Sequence, residues 1–170
     1  MSGCKILQAE NSGVYVLKME GEVRLNFCST IDASIEAIVS DPNFATLVVD
    51  LSEAKLIDST TLGLLARLAV KAKEKSHFLP SIVSTNPDIT RILLSMGFDS
   101  VFLIVSEPVE TDEHLQELVA ADTNEDEMRQ KVLSAHKVLM DMNEHNYEQF
   151  KDLVDALELD VRDTVASKAS

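Results

Sequence analysis

The chain has 170 residues, enough for one domain and an appendage, and a hydrophobic share of 45% excludes wholesale disorder. A net charge of −14 opposes phosphate backbones and anionic membrane surfaces, and an aromatic share of 5% with no Trp leaves few platforms for stacking bases. Nucleic acid and membrane are thus set aside as partners, and a basic protein surface is favoured.

The first elements read as a hairpin. CKILQA, from Cys4, faces VYVLKMEGEVRL, residues 14–25, across the ENSG turn. In the second segment Tyr15, Leu17, Met19, Val23 and Leu25 alternate with Lys18, Glu20, Glu22 and Arg24, which predicts a strand with one wet face. Gly21 marks a bend or bulge. From residue 27 the period changes: Phe27, Ile31, Ile35, Ile38 and Val39 predict an amphipathic helix that Asp41-Pro42-Asn43 stops. Thr46–Leu51 is β-branched and nearly all apolar, as a buried strand is.

A leucine-rich helix is predicted from about Ser59 to Lys75, with Lys71, Lys73 and Lys75 suited to its C-terminal dipole. FLPSIVS, residues 78–84, is the next strand. Asn86-Pro87-Asp88 opens a helix with Ile89, Ile92, Leu93 and Met96 on one face, and Gly97 ends it. Val101–Val105 is read as a fifth strand and Thr111–Ala121 as a fourth helix. Alternation of strand and helix after an opening hairpin argues an α/β fold: a mixed sheet of about five strands with helices packed on it.

Composition then shifts. Residues 1–110 hold 9 basic and 14 acidic side chains, and residues 111–170 hold 6 and 15, with no strand-like run. Thr123-Asn124-Glu125-Asp126-Glu127 begins a helix striped by Met128, Val132, Ala135, Leu139 and Met142. Asn143-Glu144-His145-Asn146 is a break, with Asn146 capping a helix striped by Tyr147, Phe150, Leu153, Val154 and Leu157; the last ten residues read as frayed. The division is a domain over 1–121 and an acidic helical extension over 122–170. The extension's stripes either pack on the domain or form a docking or dimerising hairpin.

Cys4 and Cys28 give neither a disulfide framework nor zinc-ligand spacing, and fit reduced thiols. MSGCKILQAE has no basic region followed by a long apolar core, and no stretch has the apolar length of a bilayer span, so a cytoplasmic setting is expected. His77, His114, His136 and His145 are scattered without metal spacing, and no P-loop or dinucleotide fingerprint occurs, so no cofactor is expected. His136 falls near the apolar stripe of its helix and reads as a packed or surface residue. Arg67 reads as a solvated or partner-facing charge.

The unusual stretch is Asp58-Ser59-Thr60-Thr61 at the mouth of the leucine-rich helix. One such residue suffices to cap a helix. The others suit a modification site: a phosphate on a helix-mouth serine is tolerated by the positive end of the dipole and adds about −1.5 to −2 charge. A serine hydrolase reading lacks the glycines of a nucleophile elbow.

Leu56-Ile57-Asp58-Ser59-Thr60-Thr61-Leu62-Gly63, following strand Leu47–Leu51, resembles the signature of STAS domains, the anti-sigma factor antagonists of bacterial partner-switching systems. The resemblance spans about residues 5–120. It implies a STAS-like sheet, no enzymatic activity, and phosphorylation at Ser59 by an anti-sigma factor that is often itself a serine kinase, with a phosphatase reversing it. It further implies that Asp58, Ser59, Thr60 and Thr61 meet the partner, an anti-sigma factor or a kinase–phosphatase regulator, with Thr60 and Thr61 capping the helix or touching that partner. Thr61 stands where a small Gly or Ala is frequent, Thr60 is a second-choice acceptor, and residues 124–158 extend beyond a minimal antagonist. Helical extensions of this kind point to systems controlling biofilm or motility. The alternative is a scaffold that assembles a signalling complex through its C-terminal helices.

Overall fold

A computed structural model describes residues 3–107 and 115–169, the side chains of 164–169 excepted. Strand β1, Cys4–Asn11, runs into β2, Val14–Val23, through Ser12 and Gly13. Both turn residues have positive φ, 52° and 84°, the two-residue turn whose twist matches an antiparallel pair. Gly13 has a second constraint: a Cβ there would meet the Asn43 carbonyl oxygen at 2.0 Å.

Helix α1, Cys28–Ser40, returns the chain to β3, Thr46–Asp50, parallel to the first half of β2. Strand β4, Ala54–Ile57, then pairs with the second half of β2, and the register shifts at Gly21, the bulge expected there. Helix α2, Ser59–Ser76, leads to β5, Ser81–Val83; helix α3, Pro87–Ser95, leads to β6, Leu103–Val105. Strand β7, Gln116–Glu117, pairs antiparallel with β1. The sheet order is β6-β5-β3-β2-β1-β7, with β4 beside β2, and parallel and antiparallel pairs are mixed as expected. Helices α4, Glu125–Met142, and α5, Glu144–Ala169, form the C-terminal hairpin.

The core lies between the sheet and the helices. Leu17, Met19, Leu47 and Val49 meet Ile31, Ile35 and Ile38 of α1 and Leu62, Leu65 and Leu68 of α2, all buried. Each such side chain contributes about 1.5–3 kcal/mol by leaving water. Helix α3 starts as read, with Asn86 accepting from the Asp88 N–H at 3.0 Å, and Gly97 follows its end at φ 81°.

Four readings are corrected. No helix occupies residues 115–121: the chain there is β7 followed by a coil, so the tail does contain a strand, while Thr111–His114 lie outside the described residues. Leu115, Leu118 and Val119 have helical spacing, but the Leu118 N–H donates to the Ile6 carbonyl at 2.7 Å, and the sheet edge wins. Asn146 does not cap α5. It lies fully buried inside it, and Asn143 caps instead, accepting from the Asn146 N–H at 2.8 Å. Helix α5 continues to Ala169 rather than fraying over the last ten residues. Strand β4 is an addition to the predicted elements: Ala54–Ile57 is too short and half exposed to carry a strand pattern.

Candidate functional site

Asp58 ends β4's approach to α2 in an extended conformation, φ −86° and ψ 167°, and its carboxylate accepts from the Thr61 N–H at 2.8 Å. It is the N-cap, and it satisfies one of the four donors a helix start leaves open. Its own N–H donates to the Val23 carbonyl at 3.1 Å, so the cap is fixed to the end of β2.

Ser59 is the first helical residue and is half-buried. Its Oγ lies 2.8 Å from Nε2 of His136, a residue 77 positions away on α4. His136 is buried, 2% exposed, and its Nδ1 lies 2.7 Å from the Val132 carbonyl oxygen. A carbonyl only accepts, so Nδ1 carries the proton; in the neutral ring Nε2 then accepts, and the Ser59 hydroxyl donates to it. The Phe150 ring of α5 meets the imidazole edge-on, 5.2 Å between centroids. The imidazole is therefore oriented by a main-chain carbonyl and a phenyl ring.

Thr60 and Thr61 are buried at 3% and 0% exposure, and Thr61 Oγ1 has no hydrogen-bond partner. They neither cap the helix nor present themselves at the surface, because α2 is enclosed on more than its sheet-facing side. Helix α4 packs along α2, and Gly63 marks the closest approach: a Cβ there would lie 2.2 Å from the Ala135 carbonyl oxygen and 2.7 Å from its Cβ. A mid-helix glycine costs about 1 kcal/mol relative to alanine, and this contact is its physical reason.

Arg67 is not a free charge. It pairs with Asp32 and Glu36 of α1, Lys131 of α4 meets Asp32 at 2.6 Å, and Lys71 meets Glu36 at 3.1 Å. Burial alone raises the Asp32 pKa, but the Lys131 and Arg67 cations together hold its carboxyl below the ordinary carboxylate value. At the hairpin's corner, Asn143 and Asn146 donate to the Met96 carbonyl at 3.2 and 2.8 Å, occupying an acceptor that the end of α3 leaves open.

The expected quartet is thus contiguous at one helix mouth, but only Ser59 and Asp58 are partly accessible. The residue missed from sequence is His136. Its clue was a small-residue pair, Gly63 in one apolar helix and Ala135 beside His136 in another. Among the described residues no cluster of three His, Cys, Asp or Glu side chains could hold a metal, and Cys4 and Cys28 are free.

The family model described as "Mlab, STAS domain" matches residues 6–106. The chain belongs to the STAS domain family. Its match to the anti-sigma-F factor antagonist RsfB of Mycobacterium tuberculosis is 31% identical over 98 residues, 58% of this chain and 78% of that protein. The crystal structure of an anti-sigma factor antagonist from Mycobacterium paratuberculosis superposes with a TM-score of 0.53 at 26% identity, over 64% of this chain and 88% of that one. The unphosphorylated antagonist SpoIIAA shares the fold with a TM-score of 0.53 at 16% identity, over 61% and 89%. STAS anti-sigma factor antagonists are regulatory binding proteins, not enzymes, and this chain belongs with them by its family match and its RsfB relative. The family match ends before α4 and α5 begin. No helix among the described residues is long and apolar enough to cross a membrane.

Proposed function

We propose that this chain is an anti-sigma factor antagonist whose binding is switched at Ser59. Unmodified, the Asp58–Ser59 mouth of α2 docks an anti-sigma factor; phosphorylated, it releases that partner. The body over residues 1–121 carries the switch, and residues 122–170 are an extension that acts on it. The observation that carries the reading is Ser59 as the first residue of a capped, rigidly seated helix in a chain related to anti-sigma factor antagonists.

The chemistry supports such a switch. A phosphate at that position lies against the positive end of α2, so the helix tolerates it. Beside the Asp58 carboxylate it makes a strongly anionic spot, which reverses the character of the docking surface. The scaffold alternative is less supported, since the buried parts of the hairpin stripes, Ala135, Leu139, Phe150 and Val154, are covered within the chain itself.

The test is capture of an anti-sigma factor, identified by mass, from the protein's own cells. Ser59→Ala is expected to retain it and Ser59→Asp to lose it. Equal capture by the two variants would rule the switch out.

A further inference from the structure

Helix α2 is buried far beyond what one sheet-facing stripe needs: ten of its 18 residues are buried, beginning at Thr60. The second covering layer is the hairpin. We propose that α4–α5 is an intramolecular mask of the Ser59 face, and that partner docking and modification at Ser59 proceed only from a state in which this hairpin has lifted. The inference rests on the reading of Ser59 given above.

Three observations carry it. The first is the proton. The Ser59 hydroxyl has one, and in the neutral-imidazole arrangement it is committed to His136 Nε2. Forming a phosphate ester at Oγ removes that proton, so this hydrogen bond and the modification exclude each other. The second is space. The Gly63–Ala135 contact leaves no room for one added carbon, so no partner side chain enters between the two helices while the hairpin is closed.

The third is the kind of contact that closes it. Beside the apolar packing of Ala135, Leu139 and Phe150, the hairpin is held by directed contacts: the Ser59–His136 bond, the Lys131–Asp32 pair and the two asparagine amides on Met96. Asn146 Oδ1 is buried in the closed state without a hydrogen-bond partner. A buried group of that kind costs free energy when closed and regains water when open. The body keeps its own core of Leu17, Ile31, Leu47 and Leu65 meanwhile. Sub-global opening of one supersecondary unit at less cost than unfolding is ordinary protein behaviour.

The test places a thiol at the masked position in the full chain. Ser59→Cys is treated with iodoacetamide, and the labelled peptide is quantified by mass, with buried Cys28 as the internal control for unfolding. Gly63→Ala wedges the helices apart from the α2 side; Ala135→Leu does so from the α4 side and leaves every body residue in place. Labelling at position 59 is expected to rise on the order of tenfold with either wedge while Cys28 stays protected. A parent thiol that already labels as fast as both wedged forms overturns the mask.

A second readout uses the anti-sigma factor recovered above. Gly63→Ala, with Ser59 intact, is expected to bind it on the order of tenfold more tightly, and binding no tighter than the parent overturns the mask. The labelling rate is independent of any kinase. Failure of the Ser59→Ala and Ser59→Asp comparison therefore removes the switch reading, while the thiol experiment decides the mask separately.

Discussion

Helix α2 has two kinds of neighbour. Toward the sheet and α1 it presents Leu62, Leu65 and Leu68 to Ile31, Ile35 and Leu47, an apolar contact with the Arg67 and Lys71 ion pairs to α1 beside it. Toward α4 it presents a serine and a glycine, and the hairpin answers with a histidine and an alanine while its Lys131 reaches Asp32 of α1. The first contact is undirected and scales with buried area. The second adds to the apolar packing of Ala135, Leu139 and Phe150 a few directed bonds, each worth about 0.5–1.5 kcal/mol net. The difference teaches that the directed contacts to the second helical layer sit on the side of α2 where the proposed release acts, away from the sheet.

The largest expected effect tests the sheet side. Leu65→Ala deletes a fully buried side chain and should lower the unfolding free energy by about 2–5 kcal/mol, read from the urea midpoint. A loss below 1 kcal/mol, on the order of a surface change, would mean that α2 is not anchored as described.

His136→Ala tests the hairpin side. It removes the acceptor of the Ser59 hydroxyl and the Phe150 edge contact, and should cost hairpin closure about 1–3 kcal/mol. Amide exchange in α4 should quicken while exchange in β3 stays as it was. Equal acceleration in both would show that the hairpin and the body unfold as one unit.

Acid should separate the two regions next. The folded Asp32 pKa lies below its ordinary value of 3.8, so its pairing stabilises the closed hairpin above that value and fades as pH falls through the folded pKa. Resonances of α4 should broaden or shift below about pH 4 before those of the sheet. Asp32→Asn should abolish that early step, and an unchanged acid profile in this variant would assign the step to other carboxylates.

The smallest effect lies in the body, far from α4. Tyr15 donates to Asp41 at 2.6 Å, and that hydrogen bond, with burial and the charges of Asp41 and Glu10, pushes its pKa from 10.0 up to about 12. A raised pKa stabilises the fold fully below pH 10.0, and the contribution disappears as pH climbs through about 12. Tyr15→Phe should flatten the thermal midpoint across that alkaline window. A variant that keeps the parent's slope would show that other groups set it.

Much of the body was legible because its signals are local. The period-two pattern of Val14–Val23, the asparagine cap before Pro87 and the glycine after Met96 each act within a few residues. Two short strands were not. Ala54–Ile57 has too few residues to show a period, and Gln116–Glu117 is extended only because β1 offers it an unpaired edge at Leu7 and Gln8. Arg67 looked solvent-facing because its partners, Asp32 and Glu36, lie on another helix.

By itself the sequence determined the alternation of strand and helix, the acidic character of the extension, and the placement of Asp58 and Ser59 at the start of a leucine-rich helix. These follow from propensity, capping and charge, all of which act between near neighbours. Only the tertiary structure decided that Thr60 and Thr61 are enclosed, that Gly63 is a point of helix crossing, and that the Ser59 hydroxyl is engaged by His136. Those depend on where α4 comes to rest, and no local rule links residues 77 positions apart. Close packing of two preformed helices does.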